Sequence, residues 1–314
     1  MLFSLAVSNS WTLRQLDVHN VFLNGHLLET VYMKQPPGYE DPTNPGHVCH
    51  LQHSLYGLKQ APRAWFKRLH DFLLSAGFNS SKIDVSLFYY TAWTSRVFLL
   101  VYVDDIIMMG NDATLVTALL GRLATASGPW NTRLLLSQRR YMTDLLGRSG
   151  MAECKHLATL AVVTKAVVPA DVPYENPTQY HRMVGALQYL TITRLDLAYA
   201  VNRLCQFMHS VTTEHWGLVK RVLRYIKGTL DYGLWLSPSS STSIHAYSDS
   251  DWAGFPIDRK STSGFAVYLG TNLISWLSKK QRTVARSSTE AEYKALADVS
   301  AKVTWVVSLL RELG

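Results

Sequence analysis

The stretch FLLVYVDDIIMMG, residues 98–110, sets Asp104 and Asp105 side by side between two aliphatic runs. Two such runs with two residues between them have the sequence form of a tight β-hairpin, and Asp tolerates unusual turn dihedrals. One reading therefore makes the pair turn chemistry at the tip of a buried hairpin. Charge supports another. Two carboxylates ~4 Å apart repel by ~4 kcal/mol at an effective dielectric of 20, and the neighbouring side chains are too apolar to solvate them. A divalent cation removes the conflict. Asp17 sits in a similar setting, LRQLDVHNVFLNG, where Leu16, Val18 and Val21 argue for another strand or its end. If the strands of Asp17 and Asp104 lie side by side, their oxygens can share Mg²⁺, an ion that prefers oxygen ligands and keeps waters and substrate phosphates in its shell. Paired ions of this kind activate an attacking hydroxyl and stabilise charge on a transferred phosphoryl group.

Other elements must place these carboxylates. SLYGLKQAPRAWFKRLHDFLLSAGF begins with a glycine turn and the polar run Lys59, Gln60, Pro62 and Arg63. An amphipathic helix with Trp65, Phe66, Leu69, Phe72 and Leu73 follows. Pro62 fits a first helical turn, where basic residues suit a nucleotide's phosphates or simply a solvated cationic end. The stretch NDATLVTALLGRLATASGPWNTRLLLSQ is too interrupted by Ser, Thr and Gly to assign. From YHRMVGALQYL to VLRYIKGTL the apolar spacing is helical. Val219, Val222, Leu223 and Ile226 share one helical face there, and Lys220, Arg224 and Lys227 another, suited to a phosphate backbone or to solvent. After the linker-like SPSSSTS, the segments IHAYSDSDWAG, STSGFAVYLG and NLISWLSKK read as three strands, followed by a helix from Thr289 to Leu313. Thr289 and Glu292 stand at the spacing of a capping box, which alone accounts for a glutamate at that place.

With 314 residues, 47% of them hydrophobic and 17% charged, the chain is long enough for two folded domains. Lys plus Arg number 31 against 23 Asp plus Glu, a formal charge of +8 that favours a polyanionic partner, nucleic acid ahead of an anionic membrane. Cys49, Cys154 and Cys205 form no CxxC pattern and read as free thiols of a reducing compartment. His47, Cys49, His50 and His53 lack a zinc-finger spacing and belong with the strand entering SLYGLKQ. No apolar run approaches the roughly 18 residues of a membrane span, and MLFSLAVSNSW lacks the basic start and cleavage site of a signal peptide. The expectation is an intracellular protein of cytoplasm or nucleus, without a membrane partner.

Taken in order, QLDVHNVFLNG, VYMKQPPGYEDP, SLYGLKQAPRAWFKRL and LLVYVDDIIMMGND resemble the reverse transcriptase of copia-type long-terminal-repeat retrotransposons, with YVDD as the catalytic hairpin. The later RMVGALQYLTITRLDLAYAVNRLCQFMH, KRVLRYIKGTLDYGL, AYSDSDWAGFPIDRKSTSGF and SWLSKKQRTVARSSTEAEYKALA are similar to the connecting region and ribonuclease H domain of the same polyprotein. The resemblance implies an α+β chain in three parts. Residues 1–150 would form a partial reverse transcriptase with a palm-like antiparallel sheet and helices, residues 151–236 a helical connection, and residues 237–314 the N-terminal part of a ribonuclease H-like α/β domain. It gives Asp17 and Asp104 the metal-binding role, with Asp105 as a third carboxylate. Phe22 matches the bulky side chain that stacks under the incoming sugar and excludes a 2′-hydroxyl, although a simple core role also suits it. Tyr56, Gly57, Lys59 and Gln60, with Arg63, match the segment lining nucleotide and template, and Lys220, Arg224 and Lys227 fall to the nucleic-acid backbone. Asp249 and Glu292 match the metal-binding pair of the ribonuclease H pattern, while Asp251 reads equally as a turn residue. The implied cofactor is Mg²⁺, with Mn²⁺ as the alternative, and the implied substrates are deoxynucleoside triphosphates on an RNA or DNA primer-template.

The chain also departs from the family pattern. It begins just before the strand of Asp17, so the fingers are expected to be absent. TASGPWNTR does not match the YFLGIEV-like strand pair that holds the primer end, and the sequence stops at LLRELG before two further ribonuclease H aspartates. His19 and Val21 replace residues that are usually Asn or Lys and Ala. The expectation is a polymerase fragment with impaired activity, the alternative a catalytically dead nucleic-acid-binding remnant.

Overall fold

The computed structural model describes residues 1–17, 21–44, 46–102, 105–123, 134–160, 172–255 and 257–313. The chain is α+β with antiparallel sheets and divides into two compact units, one of Asn9–Asn131 with Ser308–Gly314, the other of Met1–Ser8 with Thr132–Val307. Helix α1 (Leu2–Ser8) opens the second of these.

In the first unit, β1 (Thr12–Asp17) leads into a short 3-10 turn (Val21–Asn24) and the two-stranded pair β2 (His26–Lys34) and β3 (Val48–His53). Helix α2 (Ala61–Ser75) follows, then β4 (Asn79–Ser80), β5 (Leu87–Ala92), β6 (Ser95–Tyr102), β7 (Asp105–Gly110) and α3 (Ala113–Leu123). The main sheet runs β1-β7-β6-β5-β4, with every neighbouring pair antiparallel. Its side chains alternate between faces, as the period of two requires. Phe88, Val97, Leu99, Val101, Ile106 and Met108 point to one face and are buried with Trp65, Leu69 and Leu73 of α2 and Val116, Leu119 and Leu120 of α3. That packing consumes one face of the sheet and leaves Asp105 and Tyr102 on the other, exposed.

Two features of this unit differ from the sequence reading. Phe72, grouped with the apolar stripe of α2, is 44% exposed, because the buried stripe runs through Trp65, Leu69 and Leu73 instead. The unassigned stretch after Gly110 contains a regular helix, α3, whose start is fixed by Asp112. Asp112 Oδ1 accepts the Thr114 and Leu115 amides at 2.9 and 3.1 Å, and Ser95 Oγ donates to Oδ2 at 3.1 Å. These bonds, the Leu115 amide first, hold its carboxyl below the usual carboxylate range.

The second unit centres on four helices, α4 (Arg139–Arg148), α5 (Pro177–Leu190), α6 (Leu195–Cys205) and α7 (Thr213–Gly228), with β8 (Leu134–Leu136) pairing β9 (Leu234–Leu236). Met142, Leu145, Tyr180, Val184, Leu187, Val201, Val219, Leu223 and Ile226 form its apolar core. Within it lies a guanidinium, that of Arg194, 2% exposed. Arg194 grips Asp196 bidentately at 2.9 and 2.7 Å and donates to the Thr229 carbonyl at 3.0 Å and hydroxyl at 2.7 Å, while Tyr225 donates to Asp196 at 2.9 Å. Burial pushes the Asp196 carboxyl up, but Arg194 and Tyr225 outweigh it and hold the group below its ordinary value. Beyond β9, the strands β10 (Ile244–Ser250), β11 (Thr262–Leu269) and β12 (Asn272–Lys280) form an antiparallel sheet in that order, and α8 (Ser288–Leu313) ends the described chain, close to the span the sequence indicated. All three cysteines are free, and no helix among the described residues is long and apolar enough to cross a membrane.

Candidate functional site

The strand pairing sets two aspartates in register. Asp17, the last residue of β1, stands opposite Asp105, the first residue of β7, and Asp105 stands opposite Tyr102 across the hairpin. The expected turn of Asp104 and Asp105 is thereby corrected by one residue: Asp105 is a ladder residue of β7, so turn chemistry does not account for it. A shift of one residue decides which face a strand side chain takes. Gln15 stands opposite Ile107, two residues from Asp105 in β7, and so shares the face of Asp105. Its Nε2 donates to Asp105 Oδ1 at 3.1 Å, a contact that sequence reasoning missed although the i−2 spacing marks it. Asp104 lies outside the described residues.

Phe22, Tyr56 and the start of α2 form a second group in this unit. The Phe22 carbonyl accepts the Gly25 amide at 3.1 Å and the Ser54 hydroxyl, and the Ser54 amide donates to the Gly25 carbonyl at 2.8 Å. The Phe22 ring meets Tyr56 edge-on, with centroids 4.7 Å apart. Gly25 is required by proximity, since a Cβ there would lie 2.7 Å from Ser54 Oγ and 3.0 Å from the Trp65 nitrogen. Gly57 takes φ +94° in the turn closed by the Leu58 amide on the Leu55 carbonyl, a conformation other residues rarely adopt. Gln60 occupies the N-cap position of α2 with Pro62 in its first turn, and Lys59 and Arg63 are exposed beside it.

In the second unit, Asp249 lies near the end of β10, opposite Gly264. Glu292 Oε1 accepts the backbone amide of Ser250, the next residue, at 3.3 Å. The capping reading of Glu292 is overturned: the cap is Ser287, whose hydroxyl accepts the Glu290 amide at 3.1 Å, and Glu290 reaches back to the Arg286 amide at 2.8 Å. The start of α8 is therefore two residues earlier, which frees Glu292 to face β10. Asp251 directly follows β10 and bonds across to the start of β11, its amide donating to the Thr262 carbonyl at 3.1 Å and its Oδ1 accepting the Thr262 amide at 2.6 Å. On α7, Val219, Val222, Leu223 and Ile226 are buried as the periodicity indicated. Of the cations opposite, Arg224 donates to the Lys155 carbonyl at 2.8 Å and Lys227 to the Ala152 carbonyl at 2.6 Å, so both anchor a neighbouring segment, while Lys220 is exposed.

Among the described residues, no three His, Cys, Asp or Glu side chains gather as a metal-holding group. What the described residues bring near one another is the backbone of Asp17 with that of Asp105, and Glu292 Oε1 with the residue after Asp249; carboxylate oxygens are the donors a hard ion prefers.

The family model for reverse transcriptase (RNA-dependent DNA polymerase) matches residues 1–127. The retrovirus-related Pol polyprotein from transposon RE2 of Arabidopsis thaliana is 47% identical over 331 residues, covering 100% of this chain and 23% of that protein. The corresponding polyprotein from transposon TNT 1-94 of Nicotiana tabacum is 34% identical over 340 residues, covering 100% of this chain and 26% of its own length. An uncharacterized mitochondrial protein of Arabidopsis thaliana is 42% identical over 225 residues, 67% of this chain and 94% of that relative. The chain belongs to the Pol polyproteins of copia-type retrotransposons. It spans about a quarter of the length of the transposon polyproteins it matches. The reverse transcriptase match falls on the unit that carries Asp17, Phe22, Tyr56 and Asp105, whereas Asp249 and Glu292 lie beyond it.

Proposed function

We propose that the first unit carries the nucleotidyl-transfer centre of an RNA-directed DNA polymerase, extending a primer 3′-hydroxyl with deoxynucleotides on an RNA or DNA template. The observation that carries this reading is the register placing Asp17 opposite Asp105 at the mouth of the β6–β7 hairpin. Asp17, Asp104 and Asp105 would hold Mg²⁺, for which Mn²⁺ can substitute. When bound, the ions lower the barrier to attack by the primer hydroxyl and neutralise charge on the departing pyrophosphate. Lys59 and Arg63 at the start of α2 fix the nucleotide's phosphates, and the Phe22 ring, braced by Tyr56, packs beneath the sugar and leaves no room for a 2′-hydroxyl. The five-stranded sheet suits a palm, with α2 and α3 on one face and Asp105 on the other. Asp249 and Glu292 are read as the metal-binding pair of a ribonuclease H-like domain, supported by the contact of Glu292 with the residue after Asp249.

Purified chain, given an RNA template, a DNA primer, deoxynucleotides and Mg²⁺, extends the primer, and Asp104→Asn abolishes extension. Loss of the reading follows if the variant extends as the parent does. A second reading, nucleic-acid binding without catalysis, draws on one observation: the match to RE2 runs over 331 positions against 314 residues here, so that relative carries residues within the matched region that this chain lacks. Under it the chain retards a primer-template duplex in a salt-sensitive way, Asp104→Asn binds equally, and no extension occurs.

A further inference from the structure

Gln281, just past β12, is 9% exposed, and its side-chain amide lies among three elements. Nε2 stands 2.7 Å from Ser263 Oγ on β11, 2.9 Å from the Ala291 carbonyl on α8 and 3.2 Å from Ser250 Oγ on β10, its two hydrogens shared among these three acceptors. The backbone amide of Gln281 donates to the Ser261 carbonyl at 2.8 Å, so the residue is tied to the sheet at its main chain as well. Oε1 is buried and has no hydrogen-bond partner among the described residues. A buried acceptor left without a partner is unfavourable, so the donors fix the orientation of this amide.

The acceptors are what give the arrangement meaning. Ser250 directly follows Asp249, and Ala291 directly precedes Glu292. The Ser250 amide itself donates to Glu292 Oε1. One side chain thus joins the residue after one carboxylate to the residue before the other, where no backbone ladder does so: Asp249 is on a strand and Glu292 on a helix. An apolar residue of similar length would fill the volume but remove the tie between strand and helix.

We propose that Gln281 is the positioning residue of the Asp249–Glu292 centre, setting the separation of the two carboxylates for a divalent cation. The inference rests on the reading of that pair as metal ligands. It adds a residue that neither acid–base nor ligand chemistry would single out.

The test is a Mn²⁺ titration followed by electron paramagnetic resonance, on the full chain carrying Asp17→Asn, Asp104→Asn and Asp105→Asn so that only the second centre is read. In that background Asp249→Asn loses the bound-ion signal. Gln281→Met weakens Mn²⁺ binding roughly ten- to a hundredfold, the range for loss of a residue that orients metal ligands. Asn202→Ala is the control. It removes another helix-to-strand tie of the same unit, from Asn202 Nδ2 to the Ser278 carbonyl at 2.8 Å, and leaves Mn²⁺ affinity unchanged even where it lowers the melting temperature. Undiminished binding in Gln281→Met overturns the proposal, as does equal weakening in Asn202→Ala, which would make the loss a general consequence of a loosened fold. Undiminished binding in Asp249→Asn instead removes the metal reading of the centre, and the role of Gln281 with it.

Discussion

The two carboxylate groups of this chain are assembled by different physics. In the first unit both Asp17 and Asp105 belong to adjacent strands of one sheet, and the ladder that pairs β1 with β7 sets them opposite each other. Their spacing is a by-product of backbone hydrogen bonds that the sheet needs in any case. In the second unit Asp249 is on β10 and Glu292 on α8, and nothing in either element's own hydrogen bonding dictates how far apart they stand. There the position depends on side chains: Glu292 on the Ser250 amide, and Gln281 spanning strand and helix. A centre built on register tolerates loss of any one supporting side chain, whereas a centre built across a strand and a helix does not.

Separating the two centres gives the largest effect. Asp104→Asn lowers primer extension a thousandfold or more, on the order of 4 kcal/mol of lost transition-state stabilisation, and leaves Mn²⁺ binding at Asp249 and Glu292 intact. Asp249→Asn does the reverse. If either substitution silences both readouts, the centres are not independent and the contrast fails. Next in size is a change in the helical core. Arg194→Leu removes the bidentate partner of Asp196 and the guanidinium's bonds to Thr229, and costs the second unit ~1–3 kcal/mol in urea denaturation. Asp196 also sets a pH dependence. Its folded value lies below the unfolded one, so its contribution is complete above the unfolded value of ~3.9 and disappears as pH falls through the folded value. Acid denaturation of Asp196→Asn lacks that slope; an unchanged slope would assign it to other carboxylates.

What could be read from the chain follows the same division. Elements defined by their own period were legible: the β6–β7 hairpin, the start of α2 at Pro62, the buried stripe of α7, the three strands β10 to β12 and the long helix after them. Features decided by a partner far along the chain were not. The hairpin register differs by one residue because the pairing of Tyr102 with Asp105 is settled by the whole β1-β7-β6 ladder, which the two flanking runs do not specify. Thr289 and Glu292 have the spacing of a capping box, but Ser287 and Glu290 have it as well, and packing of α8 chooses between them. Helix α3 was masked by its Thr and Gly content, although Asp112 before it is a good N-cap. Arg194 and Gln281 carry no local signal that separates a buried or bridging polar side chain from an exposed one. The acidic candidates are marked by their settings in the sequence; the polar side chains bonded around them are visible only in three dimensions.

Two smaller substitutions sharpen the comparison from the side of the first unit. Gly25→Ala forces a methyl group against Ser54 Oγ and the Trp65 nitrogen, and overpacking of that kind costs ~1–3 kcal/mol. The expected result is a lowered denaturation midpoint of the first unit together with weaker nucleotide use, since Gly25, Ser54 and Phe22 are bonded into one turn.

Gln15→Leu is the smallest effect and the most discriminating. It removes the 3.1 Å bond to Asp105 while leaving every ladder bond between β1 and β7 in place. The lost hydrogen bond is solvent-exposed and is worth ~0.5–1.5 kcal/mol, so primer extension should fall only about two- to tenfold. Gln281→Met, which removes the corresponding support in the other unit, should weaken its centre by more than Gln15→Leu weakens this one. Measured side by side as fold-changes in Mn²⁺ affinity, equal losses would mean that register gives the strand-borne centre no protection. A larger loss for Gln15→Leu would mean that the orientation of Asp105 depends on its neighbour rather than on its strand.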